Sequence, residues 1–149
     1  MNSNKEEHLV DTPMVFGLQN VTYGWITIVF GILTGSILGM WSFAGPFPTP
    51  AGHHNYTDLP RRMNRLAHIA LFALPMISIL YGHHIDTIPV SDALKASGSR
   101  AWLICMWGVP LFLFLGSFKI WFKYFEVIPV GAGTWALSIM AYGHILKMQ

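Results

Sequence analysis

The apolar residues of this chain gather into four long runs, with charged residues at their ends or between them. The first covers 22–44 and contains no Asp, Glu, Lys or Arg; the others cover 63–82, 101–122 and 127–146. A helix needs ~20 mostly apolar residues to cross a bilayer, and each run meets or approaches that length. Proline and glycine clusters mark their limits: GPFPTPAG and HHIDTIPVSDALKASGSR between runs, and VIPVGAG where the fourth begins. The pattern predicts an all-α integral membrane protein of one domain, 1–149, with four transmembrane helices in an up-down bundle after a polar tail over 1–21. Gly82 is expected to end the second helix, which would put His83 and His84 on a loop.

Composition reinforces this reading. Of the 149 residues, 53% are hydrophobic and 11% charged, and the mean hydropathy is +0.47. Soluble domains carry roughly 25% charged residues, so this chain lacks the polar surface to coat a water-soluble globule. A net charge of +2 without a basic stripe argues against nucleic acid as a partner. Cys105 is the lone cysteine, so no intrachain disulfide and no CxxC can form, which excludes four-helix membrane thiol oxidoreductases. The start, MNSNKEEHLVDTPMVFGLQN, lacks the basic-then-apolar order of a secretory signal and reads as a retained tail.

Tyr23, Trp25 and Trp41 bracket the first run, and Trp102 and Trp121 the third, as interfacial aromatic belts do. Arg61, Arg62, Arg65, Lys119 and Lys123 fall on one side of the membrane, against Lys5, Lys95, Arg100 and Lys147 on the other. That bias of five to four favours both termini on the outer, periplasmic side of a bacterial inner membrane.

Gly24, Gly31, Gly35 and Gly39 share a face of the first helix and offer a smooth groove, for another span or a second subunit. Pro75 and Pro110 stand near the middles of the second and third helices, where each can kink the backbone.

The histidines divide by membrane side. His68 and His84, sixteen residues apart, would stand ~24 Å apart along one helix, too far to share a metal. On the inner side Arg61, Arg65 and His68 form a polar stripe, suited to headgroup or quinone contact, with His53, His54 and the Met40 thioether nearby. His68 is read first as an interface residue and second as a ligand. On the outer side His83, His84 and His144 are candidate ligands for haem b, which takes two axial ligands in an apolar slot. The same imidazoles suit copper or zinc, with Asp86 as an oxygen ligand. Which cofactor the chain binds, if any, is left open. No Ser/His/Asp elbow, HExxH or nucleotide loop is present, and no run contains an acidic residue.

In size and span number the chain is similar to the membrane glutathione transferases, and RLAHIALFALP is similar to their second-helix region. Ile69, Ala70, Leu71 and Phe72 stand where that family carries Asn and Glu after the histidine. Four-helix b-type cytochrome subunits resemble it in architecture, through His144 and the His83–His84 pair. The function expected is that of a small subunit of a membrane redox complex, accessory or binding haem or metal, and not of an enzyme by itself. The alternatives are a self-assembling transporter or channel, and a small membrane enzyme acting on lipid or quinone. Lipids and other membrane subunits, or further copies of the chain, are the expected partners.

Overall fold

The computed structural model describes residues 14–42 and 45–149, with Ser42 described by its backbone alone. The tail up to residue 13 and the expected end of the first run at 43–44 lie outside the described residues. Four helices follow in order: α1 (Leu18–Ser42), α2 (Leu59–Ile85), α3 (Asp92–Phe118) and α4 (Val127–Lys147), with a 3-10 helix, Ile120–Glu126, leading into α4. Among the described residues there are no strands. Helices of 25, 27, 27 and 21 residues are ~32–40 Å long at 1.5 Å per residue. All four are long and apolar enough to cross a membrane.

Several boundaries differ from the apolar runs, because helix ends are set by caps rather than by hydropathy. The third helix begins nine residues before its run, at Asp92 instead of 101. Ser91 caps it by accepting from Leu94 N–H, and Asp92 suits the positive end of the helix dipole. It stops at Phe118, where Lys119 turns extended (φ −138°, ψ 108°), so Trp121 lies on the 3-10 helix instead. The second helix starts at Leu59 with Pro60 in its first turn, where the missing N–H costs nothing. It does not end at Gly82. That glycine is a packing residue: a Cβ there would fall 2.6 Å from Gly17 O, and α2 runs on so that His83 and His84 occupy its last turn.

Each helix is antiparallel to the next and packs on it, α1 on α2, α2 on α3 and α3 on α4. Contacts between α1 and α3, and between α2 and α4, are slight, and among the described residues α1 and α4 do not meet. The helices therefore form an open row, with α2 and α3 in the middle. One end, the terminal end, holds the start of α1 and the end of α4. The loop end holds residues 45–58 and the 3-10 helix.

Small residues set the spacing. Gly24, Gly31 and Gly35 all face α2, where added Cβ atoms would meet Ile79, Leu71 and His68. At Gly31 the hydrogen in place of a side chain points at Leu71 O, the carbonyl that Pro75 deprives of its N–H donor. The main core lies towards the terminal end, where Tyr81 stacks on Trp102 at 5.9 Å among Ile85, Ile88, Ala136 and Ile139. A smaller core of Met63, Ala67 and Leu113 lies towards the loop end.

Candidate functional site

At the terminal end most buried polar groups are paired. Asn20 Nδ2 donates to Ser99 O (3.2 Å), and Ser78 Oγ donates to Asn20 O (2.9 Å). Ser99 Oγ donates to Phe16 O (2.8 Å) and touches Asn20 Oδ1. Asp86, expected as a metal ligand, accepts the N–H groups of Val15, Phe16 and Gly17 at 3.1, 3.0 and 2.9 Å. Both its carboxylate oxygens thus hold the backbone that leads into α1. Lys95 Nζ donates to Asp86 O, and Lys147 Nζ to Thr87 Oγ1.

The loop half of α2 behaves differently. Asn64 is only 3% exposed, yet neither its Nδ2 nor its Oδ1 has a hydrogen-bond partner. One turn further, His68 Nδ1 is buried and unpartnered, as are His53 Nε2 and Arg65 Nε. Among the described residues every buried side-chain nitrogen or oxygen without a partner belongs to this region, except Trp102 Nε1. Leaving such a group unpaired costs ~1–3 kcal/mol, and native folds leave few of them without a reason.

These groups border two adjoining spaces. The larger is a cleft of about 430 Å³ floored by α2, at Asn64, Ala67, His68 and Leu71, and walled by α1 and α3. Phe30, Thr34, Ile37, Leu38 and Trp41 form the α1 wall; Trp107, Pro110, Leu111 and Phe114 form the α3 wall. It exists because α1 and α3 both lean on α2 and scarcely touch each other. Phe30 and Trp107 approach to 6.1 Å across it. Gly35 admits the His68 ring, since a Cβ there would lie 2.5 Å from His68 Cε1, and Phe72 holds the ring edge-on at 5.1 Å.

The smaller space, about 30 Å³, shares Leu38, Trp41 and Asn64 with the cleft and adds Thr49, His53, Arg61 and Arg65. His53 is 3% exposed, its Nδ1 lies 3.1 Å from Ala51 O, and its ring packs on Phe118 at 5.5 Å. Arg65 lies 3.6 Å over the Tyr56 ring and donates to Tyr56 O, while Arg61 donates to His54 O. The two arginines are thereby aimed at the loop end.

Of the residues singled out from sequence, His68 borders the cleft and Arg61 and Arg65 border the smaller space beside it, with Asn64 bordering both. His84 and His144 meet at the terminal end, with ring centroids 6.0 Å apart, both exposed. His83 is exposed beside them in sequence, and among the described residues no group of three or more His, Cys, Asp or Glu gathers as a metal site. Met40 is 38% exposed and does not border the cleft. Gly39 is half-buried. Sequence reasoning missed Asn64, although it falls on the stripe of Arg61 and His68 by i+3 and i+4 spacing. Trp107 and Phe114 were also missed, because only the crossing of α3 over α2 gives them a shared neighbour. Comparison with protein families, curated proteins and solved structures yields no match to this chain.

Proposed function

We propose that this chain is an integral membrane subunit that holds a lipid-soluble amphiphile in the cleft between α1 and α3. The carrying observation is Asn64: a buried amide with both atoms unpaired at the floor of an otherwise apolar cleft. A cleft of about 430 Å³ lies within the ~300–1,000 Å³ usual for small-molecule sites, whose few polar groups orient the ligand. Insertion in a membrane is supported by the four helices and by their outward faces. Trp25, Val29 and Leu33 on α1 are 59%, 59% and 58% exposed, a surface that hydrocarbon covers and water does not. The basic residues at the loop end support placing that end inside a bacterial inner membrane and both termini outside. The arrangement suits binding more than stand-alone catalysis, so the chain acts within a larger membrane redox complex that takes up the ligand. The 6.0 Å approach of His84 and His144 favours a second reading, in which a partner subunit completes a metal site at the terminal end.

Extraction into lipid nanodiscs followed by mass spectrometry of the bound lipids tests the first reading. One non-phospholipid amphiphile per chain is expected, lost when Leu111→Trp fills the cleft from its exposed wall. Identical lipid profiles for the native and the filled protein would overturn it.

A further inference from the structure

We infer that the amphiphile is a quinone–quinol, a flat uncharged ring whose oxygens meet Asn64 and His68; this rests on the amphiphile reading above. The walls carry four aromatic side chains, Phe30 and Trp41 on α1 and Trp107 and Phe114 on α3, and because Phe30 and Trp107 approach to 6.1 Å a planar head lies against that pair and not between them. Aromatic side chains favour offset or edge contact with a second ring, and a ring resting against them leaves its alkyl tail to run out between α1 and α3.

The floor specifies the head. Asn64 offers two N–H donors and a carbonyl acceptor, and the Nδ1 of a neutral imidazole is either donor or acceptor according to its tautomer. The two residues stand four apart on α2, about 6 Å along the axis, so they meet different oxygens, or different edges, of one small ring. With the Asn64 and His68 side chains turned towards the cleft they border, the Asn64 amide donates to carbonyl oxygens or accepts from hydroxyls, and a nitrogen of the neutral His68 ring does either according to its tautomer. The same pair therefore satisfies the oxidised head, which only accepts, and the reduced head, which also donates.

Competing lipid classes fit less well. A fatty-acid carboxylate is held best by Arg or Lys, and among the described residues neither borders the cleft; Arg61 and Arg65 border the smaller space beside it. A single-hydroxyl lipid leaves one of the two floor residues without a partner. That smaller space, about 30 Å³, exceeds the ~10–15 Å³ needed for one water. It borders Asn64 and His53 together, so the head has a polar neighbour on the side of the loop end.

Photolabelling of the full chain in nanodiscs tests the assignment. An azido-ubiquinone analogue is expected to label cleft peptides of α1, α2 or α3, with decylubiquinone competing. Asn64→Leu is expected to weaken that labelling roughly tenfold or more. Leu111→Trp, which alters only an exposed wall position, is expected to abolish it, and thermal unfolding confirms that both variants fold. If a diazirine-bearing hexadecanol labels the cleft, is lost with Leu111→Trp, and the quinone analogue does not bind, the quinone assignment is overturned while the amphiphile reading stands. If neither probe responds to Leu111→Trp, both are overturned.

Discussion

Asn64 shows how a single residue separates stability from binding. Its amide is buried beside apolar neighbours with nothing to bond, so ligand-free protein bears a desolvation cost of ~1–3 kcal/mol. Replacement by leucine, which keeps the branching and the number of heavy atoms, removes that cost. Asn64→Leu is therefore expected to raise the unfolding midpoint of ligand-free protein in detergent while weakening ligand capture. A lower midpoint would show that the amide is structural. Glycines offer a sharper pair of tests. At Gly31 an added methyl would sit 3.1 Å from the backbone Leu71 O, which cannot retreat without moving α2. Gly31→Ala should cost ~1–3 kcal/mol as overpacking. Gly131 has nothing within 4 Å of the same position, and Gly131→Ala should be neutral or stabilise by up to ~1 kcal/mol, as helix propensity dictates. Thermal unfolding of the two variants side by side checks both signs.

At the scale of the element, the ends of the helices were less legible than their middles. Apolar runs mark where a helix tolerates hydrocarbon; caps and backbone contacts mark where it stops. Hence α3 starts at Asp92 under the Ser91 cap, and α2 passes through Gly82, whose lack of a side chain serves the approach of Gly17. Asp86, just beyond α2, ties the 15–17 backbone to the α2–α3 turn through three charge-assisted hydrogen bonds. Asp86→Ala should free those N–H groups together. Amide exchange is expected to accelerate across residues 15–20, with protection at the α2–α3 core unchanged. Uniform acceleration throughout would show instead that the clasp holds the whole fold.

For the molecule as a whole, the decisive feature is that the four helices form an open row. A closed bundle would have filled the space over α2 with side chains; here α1 and α3 sit on either side of it and leave a cleft. With α1 and α4 on the flanks, most large apolar residues face outward, among them Trp25, Ile32, Trp135 and Ile145. The protein is accordingly expected to resist alkaline extraction from membranes. In a Cys105→Ser background, cysteines placed at Tyr56 and Gln149, at opposite ends, should react with an impermeant maleimide from opposite sides. Labelling of both from one side would contradict four crossings.

The number, order and approximate extent of the helices follow from sequence alone, because ~20 apolar residues in a row state their own environment whatever lies next to them. So does the polar stripe of Arg61, Arg65 and His68, which needs only the periodicity of α2. The α1 glycine face was legible too, though not its partner. Tertiary structure decided that this face meets α2, that Asp86 binds backbone, and that His84 reaches His144 while Asn64 reaches nothing. Each of those depends on which helix lies beside which and at what depth. Helix neighbours are chosen by shape across residues far apart in sequence, and a pattern of apolar and polar positions carries no information about a cleft that two other helices enclose.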